Sequence, residues 1–435
     1  MGLKLKHILL GMMVIVSLFL VKAVSANSDV NWYIGTLKSD LWAASQQVRS
    51  PVAFETRADR NIASIFPSNE SSPENSAVTT PAFPLGWYSS VDYPDALGQM
   101  ATEAIDFVVP YTGKSDAKKV KAYLDRAQAA GIKVMVEIPR LQVRSDHRWL
   151  ITQFVKQLKN HPALHSWYLY DEPEYVQMSP RILERVYNAI KTEDPQHQIA
   201  IAFGKLNRVE QYLRALDTVV YFNYPCYDDT PQFCNFENSG FGQLNANAAR
   251  FVEAKGNFWM VLQGYGEDKN GKPRNNRRLP SFEEERYMIY SSILAQANGL
   301  LFWAHYLSQQ PWIDSVLTPL VRELNDYLPA ITSQRTVPRA LVNNSAIQAR
   351  LFRNPQNNSL LLIALNHSSQ AVETAIALQP QVRVQTARVL QEERAIALQQ
   401  GRLTDFFKPF AVHVYEVSAS PVFSGQGTVD QLQSD

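Results

Sequence analysis

The sequence predicts an α/β protein: an eight-stranded (β/α)8 TIM barrel followed by a small C-terminal antiparallel β-sandwich. Two observations carry the barrel. Eight short apolar or β-branched runs alternate with eight stretches of helical period, and the alternation fills roughly 245 residues, the size of one such barrel. A third observation carries the sandwich, because beyond Thr336 strand-like alternation continues without helices.

The 435 residues exceed the size at which a single core stops growing, about 250 to 300 residues, so two domains plus extra segments are expected. A hydrophobic fraction of 46% and a charged fraction of 19% suit an ordinary globular chain. Net charge is +1, and no run of like charges occurs, which argues against nucleic acid or an acidic membrane surface as the main partner. The oligomeric state is not legible.

Residues 1–26 read as a signal peptide. Lys4, Lys6 and His7 precede an apolar stretch from Ile8 to Val21, and Val24-Ser25-Ala26 offers a small-residue cleavage site after Ala26. The stretch is short against the roughly 20 apolar residues that span a bilayer, so the expectation is a secreted chain, extracellular or periplasmic, without stable membrane insertion once the leader is removed. Residues 27–82 follow as a weakly helical segment and then a Ser/Pro-rich linker.

In the barrel, 83–335, the expected strands are Phe83 to Trp87, Phe107 to Pro110, Lys133 to Ile138, Ser166 to Tyr170, Ile199 to Ala202, Thr218 to Phe222, Phe258 to Gln263 and Gly299 to Trp303. Helices are expected over Asp95 to Ala104, Ala117 to Ala130, Arg148 to Asn160, Pro180 to Thr192, Arg208 to Ala215, Ala246 to Ala254, Phe282 to Gln296 and Leu317 to Leu328. Gly131 supplies a left-handed helix end, Pro162 and Pro195 stop helices, Ser179-Pro180 opens one, and Ser281 with Glu284 forms a capping box. A doubly wound open sheet is the rival, but the turn after Leu85-Gly86-Trp87 lacks a Gly-rich phosphate loop. The sandwich, 336–418, is expected to use Ile347 to Arg353, Leu360 to Asn366, Ala371 to Leu378, Ala387 to Leu390 and Ala411 to Val417, with a disordered tail over 419–435.

Cys226 and Cys234 stand close together in a polar, aromatic loop, and export favours a disulfide between them. A zinc site would want four ligands, and no His or Cys pair is near. No metal and no cofactor is expected.

Barrel enzymes build their sites from residues just past the strand ends. Here those are Trp87 and Tyr88, Tyr111, Glu137 and Arg140, Asp171, Glu172 and Glu174, Tyr224, Gln263 and Tyr265, then Trp303, His305 and Tyr306. Aromatic faces with carboxylates, an amide and an arginine suit a sugar, whose ring has apolar C–H faces and a rim of hydroxyls. His305 reads either as a substrate hydrogen-bond donor or as a satisfied histidine at the rim.

The run His161-Pro162-Ala163-Leu164, with Ser166-Trp167-Tyr168-Leu169-Tyr170-Asp171-Glu172-Pro173-Glu174 after it, resembles glycoside hydrolases of the barrel superfamily that contains β-galactosidases and cellulases. The resemblance spans about residues 83 to 306 and includes Tyr224-Pro225 and the last-strand run from Gly299 to Tyr306. It implies a carbohydrate substrate and a hydrolytic activity on O-glycosidic bonds. In that superfamily the fourth strand ends in Asn-Glu with the Glu as acid/base, which implies that role for Glu172, with Asp171 replacing the asparagine. Asp171 would raise the proton affinity of its neighbour by like-charge repulsion.

The sequence departs from the superfamily at the seventh strand, where the nucleophilic Glu aligns with Gln263 and an amide cannot replace it. Three readings follow: Glu267 reaches back through its glycine-flanked loop; another mouth carboxylate such as Glu137 or Asp228 partners Glu172 in an inverting reaction; or the site binds sugar without cleaving it. A hydrolase is the first expectation, a noncatalytic carbohydrate-binding barrel the second, a protein-interaction role the third. No Ser-centred elbow, helical His pair or phosphate loop competes with them.

Overall fold

The structure is a computed structural model and describes residues 83–229, 232–266, 276–333, 335–379 and 385–417. The leader, the segment 27–82, Glu267 and the tail 419–435 lie outside the described residues.

Eight parallel strands close into a barrel in chain order: β1 (Leu85–Ser90), β2 (Phe107–Tyr111), β3 (Lys133–Glu137), β4 (Leu164–Asp171), β5 (Gln198–Phe203), β6 (Thr218–Phe222), β7 (Asn257–Gln263) and β8 (Leu300–Trp303). The helices are α1 (Ala96–Thr102), α2 (Ala117–Ala129), α3 (Arg140–Arg144), α4 (Arg148–Leu158), α5 (Pro180–Glu193), α6 (Leu244–Lys255), α7 (Phe282–Leu294), α8 (Gln310–Trp312) and α9 (Thr318–Ile331). Between β5 and β6 the chain takes a 3-10 path over Leu206–Ala215 where the sequence predicts an α-helix over Arg208 to Ala215. Its buried side chains, Leu206, Val209, Tyr212 and Ala215, recur every three residues, the 3-10 period and not the α period. Helix α3 has no counterpart among the expected helices; five residues without a side-chain cap carry little signal.

Ser281 and Glu284 form the capping box at α7, and Gly131 has φ +73 after α2, so both boundary signals act as read. Ser179 occupies the N-cap of α5, but its hydroxyl makes no cap hydrogen bond.

Strand parity divides the barrel into two apolar layers. Tyr88, Phe107, Val109, Met135, Tyr168, Ala200, Val220, Trp259, Val261 and Leu301 fill the interior, while Trp87, Val108, Val134, Trp167, Leu169 and Met260 face the helices. Gly86 pairs with Phe107 so closely that a Cβ there would fall on the Phe107 carbonyl. Gly86→Ala is therefore expected to cost about 3 kcal/mol through forced separation of β1 from β2, visible as a lower urea midpoint.

The C-terminal region adds β9 (Arg339–Val342), β10 (Ile347–Arg353), β11 (Leu360–Asn366), β12 (Val372–Gln379), β13 (Thr386–Val389), β14 (Arg394–Ala397), β15 (Arg402–Phe407) and β16 (Val412–Val417). They form a five-stranded sheet, order β10-β11-β16-β13-β14, packed on a three-stranded sheet, order β15-β12-β9. Strand β11 is buried on both faces: Leu362 and Ala364 enter the sandwich core, and Leu361, Ile363 and Leu365 join the core of the barrel's outer layer. A both-faces-buried strand reads as a continuous apolar run, LLLIAL, as the sequence has it.

Candidate active site

The site begins with a fault in β4. The β4–β5 register shifts between Tyr168 and Tyr170, and this bulge leaves both Leu169 and Tyr170 facing outward. Asp171 is thereby turned back to the side of Tyr168, whose hydroxyl donates to Asp171 Oδ1 at 2.7 Å. Tyr111 donates to the other oxygen at 3.5 Å, and Arg140 Nη2 lies 3.3 Å from it.

Arg140 also meets Glu137 Oε1 at 3.2 Å. Glu137 is buried at the end of β3, and its second oxygen accepts from the Thr112 amide at 2.8 Å and hydroxyl at 3.1 Å. Burial pushes its proton affinity up, and Arg140 and Thr112 oppose that. Glu137, Arg140 and Asp171 thus form one linked floor, in which Arg140 Nη2 bridges the two carboxylates.

Glu172 is placed differently. It has φ +54, a left-handed conformation that costs a non-glycine residue of order 1 kcal/mol. Its amide donates to Ala202 O at 3.0 Å and its carbonyl accepts from Tyr175 N at 3.2 Å, so the turn Glu172-Pro173-Glu174-Tyr175 holds it there. Burial raises its pKa from 4.5 to about 8, helped by the Asp171 and then the Glu174 charge and opposed by Arg140. Near neutral pH Glu172 therefore keeps its proton.

Glu174 sits on the same turn, with Oε1 accepting from Gly204 N at 2.7 Å and Lys205 N at 3.1 Å. Burial lifts it to about 7 despite those two amides. A Cβ on Gly204 would strike the rings of Phe222 and Tyr175, so a larger residue there would push those rings aside.

An aromatic wall stands opposite. Phe222, Tyr224 and Trp303 stack in series, with ring centroids 5.4 and 5.7 Å apart, and Tyr265 sets its edge against both Tyr224 and Trp303. Trp303 Nε1 donates to the Tyr111 hydroxyl at 3.1 Å, tying the wall to the carboxylate floor. The Trp303–Ala304 peptide is cis.

Three residues expected to bind substrate have their polar groups occupied elsewhere. Trp87 is fully buried and, by parity, faces the helices, where its Nε1 donates to Glu103 Oε2 at 3.0 Å. His305 takes the other oxygen of Glu103 at 3.3 Å and sets its ring edge-on to Trp87, so it is a satisfied buried histidine. Gln263 is also fully buried: its carbonyl accepts from Cys226 N at 2.9 Å, and its amide donates to the carbonyls of Cys226, Tyr265 and Arg278. It pins two loops together and offers a ligand nothing. Strand parity could have removed Trp87 from the candidates; nothing in the sequence marks Gln263 as a loop clamp. Tyr168 and Thr112, which hold Asp171 and Glu137, are absent from the sequence-based candidates altogether.

Cys226 and Cys234 are joined in a disulfide. Cys234 N donates to Glu284 Oε1 at 2.7 Å, which Arg278 pairs in turn, so the loop after β6 is anchored to the first turn of α7. Asp228 lies exposed on this loop, away from the charged floor's hydrogen bonds.

No protein-family profile matches the sequence, and no curated protein matches it. Solved structures do match. An Anoxybacillus α-amylase described as a new glycosyl hydrolase subclass superposes with a TM-score of 0.51 at 10% identity, covering 78% of this chain and 98% of that one. The α-amylase of Geobacillus thermoleovorans, solved with acarbose, gives 0.52 at 9% identity over 77% and 98%. A β-L-arabinopyranosidase from Geobacillus stearothermophilus gives 0.52 at 13% identity over 79% and 97%. The chain has the barrel fold of glycoside hydrolases. At these identities the likeness fixes the architecture of the glycoside hydrolase barrel, closed in β1-to-β8 order with a β-sandwich behind it, and the activity has to be argued from the site.

Among the described residues no helix is long and apolar enough to cross a membrane.

Proposed function

We propose that the chain is a glycoside hydrolase that cleaves O-glycosidic bonds of an oligo- or polysaccharide, with Glu172 as general acid/base. The observation that carries this reading is Glu172 itself, a carboxyl whose pKa of about 8 keeps it protonated at neutral pH, on a strained turn at the C-terminal end of β4. Glu172 gives its proton to the bridging oxygen as the bond to the anomeric carbon breaks, and water supplies the hydroxyl of the new reducing end. Burial keeps the proton on Glu172, with the Asp171 charge adding to it, and Tyr168, Tyr111 and Arg140 keep Asp171 in place. Trp303, half-buried at the end of the wall, supplies the aromatic surface for the sugar, with Tyr224 stacked between it and Phe222 and Tyr265 buried against it.

A second reading, a carbohydrate-binding barrel without turnover, is favoured by one observation: the position of the usual nucleophile holds Gln263, with its amide fully engaged. Turnover of aryl glycosides and polysaccharides by the full chain, run beside binding on the same glycans, separates the two. Release of reducing sugar supports the hydrolase, and saturable binding without product on every glycan supports the second reading.

The acid role fixes the pH dependence. A general acid works only while protonated, so kcat/KM is expected to fall tenfold per pH unit above about 8. Stability follows the same sign: a carboxyl with pKa raised from 4.5 binds a proton in the folded chain that the unfolded chain has lost, so stability declines as pH rises across the window from 4.5 to about 8. Glu172→Gln should remove its share of that decline and leave the part due to Glu174, which ends near pH 7, as thermal unfolding measured across the window would show.

We also propose that the chain is exported and loses its leader after Ala26. The apolar stretch with its small-residue site supports this, as does a disulfide suited to an oxidising compartment.

A further inference from the structure

We propose that the groove between the barrel and the sandwich is a second saccharide-binding surface, which holds a neutral polysaccharide running on from the mouth. The proposal rests on the carbohydrate reading of the mouth and extends it to the length of the substrate.

The groove has a volume of about 1020 Å³. Phe282 and Arg286 of α7 and Arg322 and Glu323 of α9 form one wall, and Phe406 and His413 of the sandwich form the other. Helix α7 runs antiparallel to β7, so its first turn lies at the mouth end of the barrel, whereas Arg322 and Glu323 of α9 lie further down a helical run that is continuous from Gln310. Phe410, which closes the groove, packs on Phe233 and Phe236 of the disulfide loop with centroids 5.3 and 5.1 Å apart. Ser369 N donates to Glu237 Oε1 of the same stretch at 2.8 Å. That stretch also follows β6 at the mouth, so one loop links the end of a mouth strand to Phe410 of the groove.

The chemistry selects the occupant. Four basic and five acidic side chains line the groove, and the inner ones are paired: Arg286 with Glu323 at 2.9 Å, and Arg394 with Asp405 through two bonds of 2.9 Å. Such nearly balanced charge offers little net attraction to an anion or a cation, but the paired groups are fixed donors and acceptors for hydroxyls. Beside them Phe406 is 54% exposed, on a strand held by its buried neighbours Asp405 and Phe407. A bare aromatic face next to immobilised polar groups is the combination a sugar ring requires. The volume reaches the upper end of the roughly 300 to 1,000 Å³ of small-molecule pockets, which suits several linked sugars.

The test uses the Glu172→Gln chain in affinity gel electrophoresis, with starch, xylan, mixed-linkage β-glucan, galactan or polygalacturonate cast into the gel. At least one neutral polymer should retard the chain. Adding Phe406→Ala should weaken that retardation about fivefold, and Arg322→Ala on the opposite wall should weaken it as well. Retardation by no neutral polymer, retardation by polygalacturonate alone, or retardation indifferent to both substitutions overturns the proposal. The mouth is judged separately, by reducing-sugar release from the parent chain. If retardation depends on Phe406 and no glycan is cleaved, the groove stands and the hydrolase reading falls; if glycans are cleaved and retardation ignores both Phe406 and Arg322, the reverse holds.

Discussion

Glu172→Gln is expected to reduce kcat/KM by about three orders of magnitude, the middle of the range for loss of a general acid. The amide has the shape of the protonated carboxyl but cannot surrender a proton, so substrate binding should change little and the loss should fall on kcat. The size of the effect should depend on the leaving group. An aryl glycoside with an acidic phenol needs little protonation and should lose less than an alkyl glycoside or a polysaccharide. The fold should survive, because Glu172 is placed by its backbone hydrogen bonds to Ala202 and Tyr175 and not by its side chain. A uniform loss across leaving groups would instead indicate that the substitution has disturbed the site.

The second large effect is on the charged floor. Arg140→Met should destabilise the chain by about 3 kcal/mol, because it leaves Glu137 and Asp171 close together in a buried place without their shared cation. The value is set at the low end for a broken buried pair, since Arg140 is itself 43% exposed and water screens part of its interaction. The pH profile should move too. Arg140 opposes the rise in the proton affinity of Glu172, so without it the alkaline limb should shift to higher pH even as the urea midpoint drops. A merely structural arginine would lower the midpoint and leave the limb where it was.

The barrel is legible in the sequence because its strands are nearly continuous apolar runs and its helices carry plain boundary signals, as at Ser281 and Gly131. Short elements with mixed composition are not. Arg394–Ala397 and Arg402–Phe407 interleave charged with apolar residues, and the buried Asp405 on the second breaks its pattern, because its partners Arg394, His413 and Tyr415 come from other strands. In the site, Asp171 and Glu172 can be named from the run after Tyr170, but the device that aims them cannot. A bulge at Leu169 and a left-handed φ at Glu172 depend on pairing with β5, which no local spacing reveals. Position at strand ends draws Trp87, Gln263 and His305 toward the site. Side-chain parity and the hydrogen bonds to Glu103 and Cys226 take them out of it.

The proton held by Glu172 is what the hydrolase reading stands on. It is read most directly by carbon-13 NMR of the full chain with labelled glutamate carboxyls, with the Glu172 signal assigned as the one missing from Glu172→Gln. A midpoint near 8 is predicted. A midpoint near the ordinary 4.5 would leave a carboxylate at neutral pH, unable to protonate a leaving group, and would contradict the acid role.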